Sequence, residues 1–197
     1  MNQKTAMKLF GLLGLLMLLS CGYADRHRNS SSCEQALVDS LEVRVQDSLF
    51  SNVHYSRSQL LEALTQTQDS LVYYRLLALY GKTFFVSSDF DSILYYNRRV
   101  KEFSRNASQS SESLQSPRWN DVLSDVYNIE GNVWMQLNRP DSAITDYKKA
   151  YEYRLKGKKL HLLPDICINT ADAYLHRSDL AHTASYYRRA LFLCDSL

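Results

Sequence analysis

Tight-turn residues are scarce in this sequence, with six glycines and three prolines among 197 residues. That excludes a fold built on many close turns and fits a helical chain. Charge of one sign is also lacking, since 23 Lys+Arg face 21 Asp+Glu. With Lys4 and Lys8 in a segment expected to be removed, the balance is 21 against 21. A bulk nucleic-acid binder needs a clear basic excess, so that class is excluded. No apolar run reaches membrane-spanning length. The longest, Leu9 to Leu19, has 11 residues, where a helix needs about 20 to cross a bilayer.

Motifs of catalysis are missing too. The chain has no GxSxG, HExxH, P-loop or Rossmann glycine pattern. His176 and His182 flank a predicted turn and share no helical face, and no cysteine has zinc spacing. The expectation is a non-enzymatic protein with no catalytic residues, no metal and no cofactor. Four cysteines are present. Cys167 falls on an apolar stripe and is expected as a buried thiol, and a Cys167–Cys194 bridge is the other arrangement open to it.

What is abundant is tyrosine, 14 in all, together with aliphatic residues. A half-buried tyrosine ring can keep its hydroxyl in water, which suits a shallow helical core. The organising stretch is Tyr127 to Tyr151, YNIEGNVWMQLNRPDSAITDYKKAY. Tyr127, Gly131 and Trp134 recur at spacings of four and three, one face of a helix. Asn138 suits a left-handed turn and Pro140 the first turn of a new helix. Ala143, Tyr147 and Ala150 then form a second stripe, with Gly131 and Ala143 small where the two helices meet. Leu77, Gly81 and Phe84 repeat the first stripe, as do Cys167, Ala171 and Tyr174. Ile93 and Asn97 depart from the second stripe and predict looser or shifted packing there. The Asp-Ser-apolar triplets at Asp91 and Asp141 are expected to cap helices.

This pattern resembles the tetratricopeptide repeat (TPR), with its Trp/Gly/Tyr first helix and Ala/Phe/Ala second helix. The resemblance implies an all-α, TPR-like α-solenoid of three to four helix-turn-helix hairpins. Residues 34–69 form a degenerate N-terminal hairpin, through a stripe of Leu37, Leu41, Val45 and Leu49 and another of Leu60, Leu61 and Leu64. Residues 70–197 form the array, with a Ser-rich insertion at 104–117 read as a mobile loop.

Ahead of these, residues 1–20 read as a signal peptide and 21–33 as a flexible tether. Leu18-Leu19-Ser20-Cys21 resembles a bacterial lipobox, which implies a lipid on Cys21 and anchoring in the cell envelope, facing the periplasm.

In TPR arrays the first helices line a concave groove that holds a peptide or protein segment. Carried over, the groove displays Arg75, Ala78, Lys82 and Phe85, then Asp125, Asn128, Asn132, Met135 and Gln136, then Asp165, Ile168, Asp172, Leu175 and His176. It is basic at one end and acidic at the other, able to orient a peptide. Asn132 matches a backbone-holding position of chaperone-binding repeats, but the lysines of that clamp are absent. Three dibasic pairs, Arg98-Arg99, Lys148-Lys149 and Arg188-Arg189, fall on second helices as solvated faces or contacts for anionic lipid. The function expected is a membrane-tethered scaffold or adaptor that binds another protein. The alternative is the sensory part of a transmembrane transcriptional regulator without its output domain. The last helix carries no polar cap, which leaves room for self-association.

Overall fold

The computed structural model describes residues 36–45, 51–107 and 116–196. The signal peptide, the tether, Cys21, Cys33 and Leu49 lie outside the described residues. Among those described, the chain forms eight α-helices and no strand. They are α1 (36–45), α2 (Val53–Gln66), α3 (Ser70–Lys82), α4 (Phe90–Ala107), α5 (Pro117–Gln136), α6 (Pro140–Leu155), α7 (Leu163–His176) and α8 (Leu180–Ser196). Short 3₁₀ turns at Thr83–Ser87 and Leu160–Leu162 lead out of α3 and into α7. No helix among the described residues is long and apolar enough to cross a membrane.

Each helix from α2 onward packs on the next, and α3 also touches α5, as α5 touches α7. α3, α5 and α7 therefore share one side. One turn, built three times, sets this arrangement. Ser88, Asn138 and Ser178 all adopt left-handed backbone, with φ of 53°, 57° and 61°. The following N–H reaches back to a carbonyl five residues earlier each time: Asp89 to Phe84, Arg139 to Trp134 and Asp179 to Tyr174. This is the Schellman closure of a helix end, and it reverses the chain at the same point in three hairpins. The left-handed residue foreseen at Asn138 is there, and serines fill the same role twice.

Helix starts correct one expectation. Asp91 and Asp141 do not cap. They sit inside the first turn, where a negative charge meets the helix dipole. The cap of α4 is Asp89, whose carboxylate accepts from the Ser92 N–H at 3.1 Å and the Ser92 hydroxyl at 2.7 Å. Asp69 caps α3 through the Leu71 and Val72 N–H groups, and Pro117, Pro140 and Pro164 each open a helix.

Close approach of helices depends on missing side chains. A Cβ added to Gly131 would lie 2.3 Å from the ring of Tyr147, and Ala143 and Ala150 beside it are fully buried. Gly81 faces α4 likewise, with the Tyr96 Cβ 3.0 Å from its would-be Cβ and the Asn97 amide oxygen 3.7 Å away. The residue nearest Gly81 is Tyr96, one before the position that Tyr147 holds opposite Gly131, so the register of α3 on α4 is shifted. Ile93 and Asn97 are both fully buried, and α3 lies less extensively on α4 than α5 on α6, as their departure from the stripe predicts.

Two boundaries differ from the expectation. In α1 the buried stripe is Val38, Leu41 and Val45, and Leu37 is 43 % exposed. A strict four-residue spacing drifts around a helix of 3.6 residues per turn, whereas three-then-four stays on one face. The Ser-rich insertion is also shorter, because α4 continues through Ser104 to Ala107. Ser104 accepts the indole N–H of the fully buried Trp119 at 3.0 Å, and residues 108–115 lie outside the described residues. Cys167 and Cys194 are both free thiols, one buried and one exposed. Burial pushes the Cys167 thiol up to about 11, so it stays protonated and packs as a small apolar group.

Gly131→Ala is expected to destabilise the protein by about 1–3 kcal/mol despite alanine's better helix propensity, because the methyl overfills the Tyr147 contact. Urea denaturation checks this, and an unchanged midpoint would contradict the contact.

Candidate binding cavity

A buried cation organises the side of the molecule shared by α1, α5 and the loop after α6. Arg154, near the end of α6, is only 1 % exposed. Its guanidinium donates to Asp121 of α5 at 2.7 Å and also to Asp125, one turn further along. Asp121 then holds the chain leaving α6. Its carboxylate accepts the backbone N–H groups of Lys158 at 2.9 Å and Lys159 at 3.2 Å. Gly157 makes that possible, since a Cβ there would lie 2.1 Å from the Asp121 oxygen. Gly157 follows directly on the C-cap of α6, and its φ is not positive, so its place there rests on close approach and not on left-handed backbone.

The seated loop presents Lys159 to Glu42 of α1. The neighbouring Asp39 of α1 accepts from Arg75 of α3 at 2.8 Å and pairs with Arg118 of α5 at 3.0 Å. Partial burial works against a charge on Asp39, but the Arg75 hydrogen bond and the two guanidinium charges outweigh it and hold the carboxyl below its usual range. One face of α1 is thus tied to α3, to α5 and to the loop after α6.

Between these elements lies a cavity of about 370 Å³. Its walls are apolar, from Val38 and Val43 of α1, Ala78 and Leu79 of α3, and Val122, Val126 and Ile129 of α5. Its rim carries the charges just described, together with Lys82 and Lys158, and Asn97 of α4 lines it as well. The lining contains cations, carboxylates and one amide, a set suited to holding a ligand by charge and hydrogen bonds.

The residues expected along the groove are divided by the structure. Arg75, Lys82 and Asp125 are brought together in this cavity, with Ala78 between them. Arg75 is 7 % exposed and engaged by α1. Asn128 instead accepts from the Asn169 amide at 3.1 Å, joining α5 to α7. Asn132 accepts the Tyr147 hydroxyl at 2.7 Å, and Asp172 accepts that of Tyr187. Gln136, Asp165 and His176 stand exposed, away from the cavity. Sequence reasoning missed Asp39, Glu42, Arg118, Asp121 and Lys159, whose partners lie 33 to 117 residues away. Gly157 followed by two lysines was the available signal.

The dibasic pairs are largely engaged within the protein. Lys148 lies 5.6 Å from the Tyr174 ring centre, Lys149 5.1 Å from Tyr127, and Arg189 5.0 Å from Tyr151. Arg98 and Arg99 both lie 6.0 Å from Tyr95. No group of three His, Cys, Asp or Glu able to hold a metal ion occurs among the described residues. No protein-family model matches this chain, and no curated protein matches it.

Arg154→Met is expected to cost about 3–5 kcal/mol, because it strands two neighbouring carboxylates, one of them buried. Asp125→Asn should cost less than about 1 kcal/mol, its carboxylate being a third exposed. Equal losses for the two variants in urea denaturation would contradict the ranking.

Proposed function

We propose that this chain is a TPR-like stack of four helical hairpins (α1–α2, α3–α4, α5–α6 and α7–α8) that holds a peptide or protein segment on its concave side. A lipid on Cys21 tethers it to a bacterial cell envelope, where it serves as a scaffold or adaptor.

The observation that carries the binding function is the cavity beneath α1, where Arg75, Lys82 and Asp125 meet across apolar walls. The stack is supported by the turn repeated at Ser88, Asn138 and Ser178, at steps of 50 and 40 residues. Contact of α3 with α5, and of α5 with α7, supports it further, because stacked hairpins place their first helices side by side. A second reading, the sensory part of a transmembrane regulator, draws on α8. That helix leaves Leu191 and Phe192 67 % and 69 % exposed, a face suited to a further helix or a second copy.

A photo-crosslinking residue placed at Ala78 in the native envelope should capture a discrete protein partner, and one at the exposed Tyr95 on α4 should not. Equal capture at both positions would contradict binding on the concave side. In the same cells Cys21→Ala should abolish fatty-acid labelling, and persistence of the label would remove the lipid tether.

A further inference from the structure

We infer that the cavity takes a small, largely apolar carboxylate that also carries a hydrogen-bond donor, of which N-acyl amino acids are the simplest kind. The inference rests on the proposal that this concavity is a binding site, and adds the chemistry of what it binds.

Asn97 is the starting point. By sequence spacing it falls where Tyr147 falls in the next hairpin, and its amide oxygen lies 3.7 Å from a would-be Gly81 Cβ, further than the Tyr96 Cβ at 3.0 Å. An amide is smaller than a phenol ring, and Asn97 lines the cavity. The residue is fully buried. Its amide nitrogen donates to the Val126 carbonyl at 3.2 Å, while its oxygen has no hydrogen-bond partner. A buried acceptor left unmade is costly, and a ligand N–H or O–H would satisfy it once the Asn97 side chain, closed to solvent in this structure, turns toward the cavity.

Charge supplies the second requirement. Every carboxylate lining the cavity already has a cation: Asp39 and Glu42 pair with Arg75, Arg118 and Lys159, and Asp121 and Asp125 with Arg154. The side chains of Lys82 and Lys158 line it, and neither forms an ion pair with a carboxylate among the described residues. The site is therefore left positive and complementary to one anionic group. The apolar walls set the third requirement, an aliphatic body. The volume of about 370 Å³ lies within the usual range for small-molecule sites, about 300–1,000 Å³.

Titration calorimetry on the full chain with three probes tests this. N-acetyl-L-leucine has the acid, the N–H and the aliphatic body, N-acetyl-L-leucinamide lacks the acid, and 4-methylpentanoate lacks the N–H. The first should bind at least about tenfold more tightly than either of the others. Lys82→Gln should bring acid and amide to equal affinity, and Asn97→Ala should equalise N-acetyl-L-leucine with 4-methylpentanoate. Asn97 is buried, so Lys82→Gln decides alone if the alanine variant fails to fold. No binding of N-acetyl-L-leucine, equal binding of all three probes, or an undiminished acid preference in Lys82→Gln overturns the inference. Tighter binding of N-acetyl-Gly-Gly-Leu identifies a peptide end as the source of the acid, and weaker binding a free small acid. Crosslinking retained at Ala78 with no acid bound overturns this ligand class alone, whereas loss of both removes the binding site.

Discussion

The guanidinium of Arg154, closed off from solvent and paired with Asp121 and Asp125, is the contact on which the walls of the cavity depend. Ionised partners make short, strong hydrogen bonds, and here one carboxylate serves two purposes. Asp121 binds Arg154 with one oxygen and gathers the N–H groups of Lys158 and Lys159 with both. The loop after α6 is thereby fixed in place, and with it the ammonium that holds Glu42 on α1. Burying such a pair is not in itself a source of stability, since desolvation offsets much of the attraction. Its value is in geometry: misplacing the loop would leave charges buried and unpaired. The position of α1, and so the roof of the cavity, follows from that requirement.

Elsewhere the helices are held by rings and cations. Tyr127 stacks on Tyr153 at 5.6 Å with Lys101 and Lys149 near its ring, and burial, with the Tyr153 phenol, pushes its hydroxyl up to about 12. Tyr74 stacks on Phe103 at 4.0 Å, joining α3 to α4. Lys101 also donates to the buried Glu130 at 2.6 Å, a tie from α4 to α5. Burial pushes the Glu130 carboxyl up, against the pull of Lys101. Long cationic stems laid over tyrosine faces cover apolar surface while keeping charge at the edge, which suits a thin core. This explains why tyrosine is plentiful here and why lysines and arginines recur at fixed places on second helices.

Local chemistry was legible in the sequence, and long-range pairing was not. Gly131, Ala143, Asn138 and Pro140 could be read because each imposes a requirement within one turn or between adjacent helices. Asp91 and Asp141 were assigned to caps because an acid near a helix start serves either a cap or the dipole, and only backbone geometry separates the two. Ser104 looked like loop because composition does not reveal that its hydroxyl meets the Trp119 indole. Nothing local marks Arg154 as a buried cation, its partners being 29 and 33 residues away on another helix. The candidate site was half legible. Arg75, Lys82 and Asp125 followed from the repeat register, whereas the acids of α1 and the loop lysine come together only in three dimensions.

Hydrogen–deuterium exchange on the full chain, wild type against Asp121→Asn, tests most directly whether this one carboxylate positions α1 and the loop after α6. The amides of 36–45 and 156–160 should exchange faster in the variant, while those of 166–174 in α7 keep their protection. Unchanged exchange in 36–45, or a loss spread evenly through α7 and α8, would contradict the account.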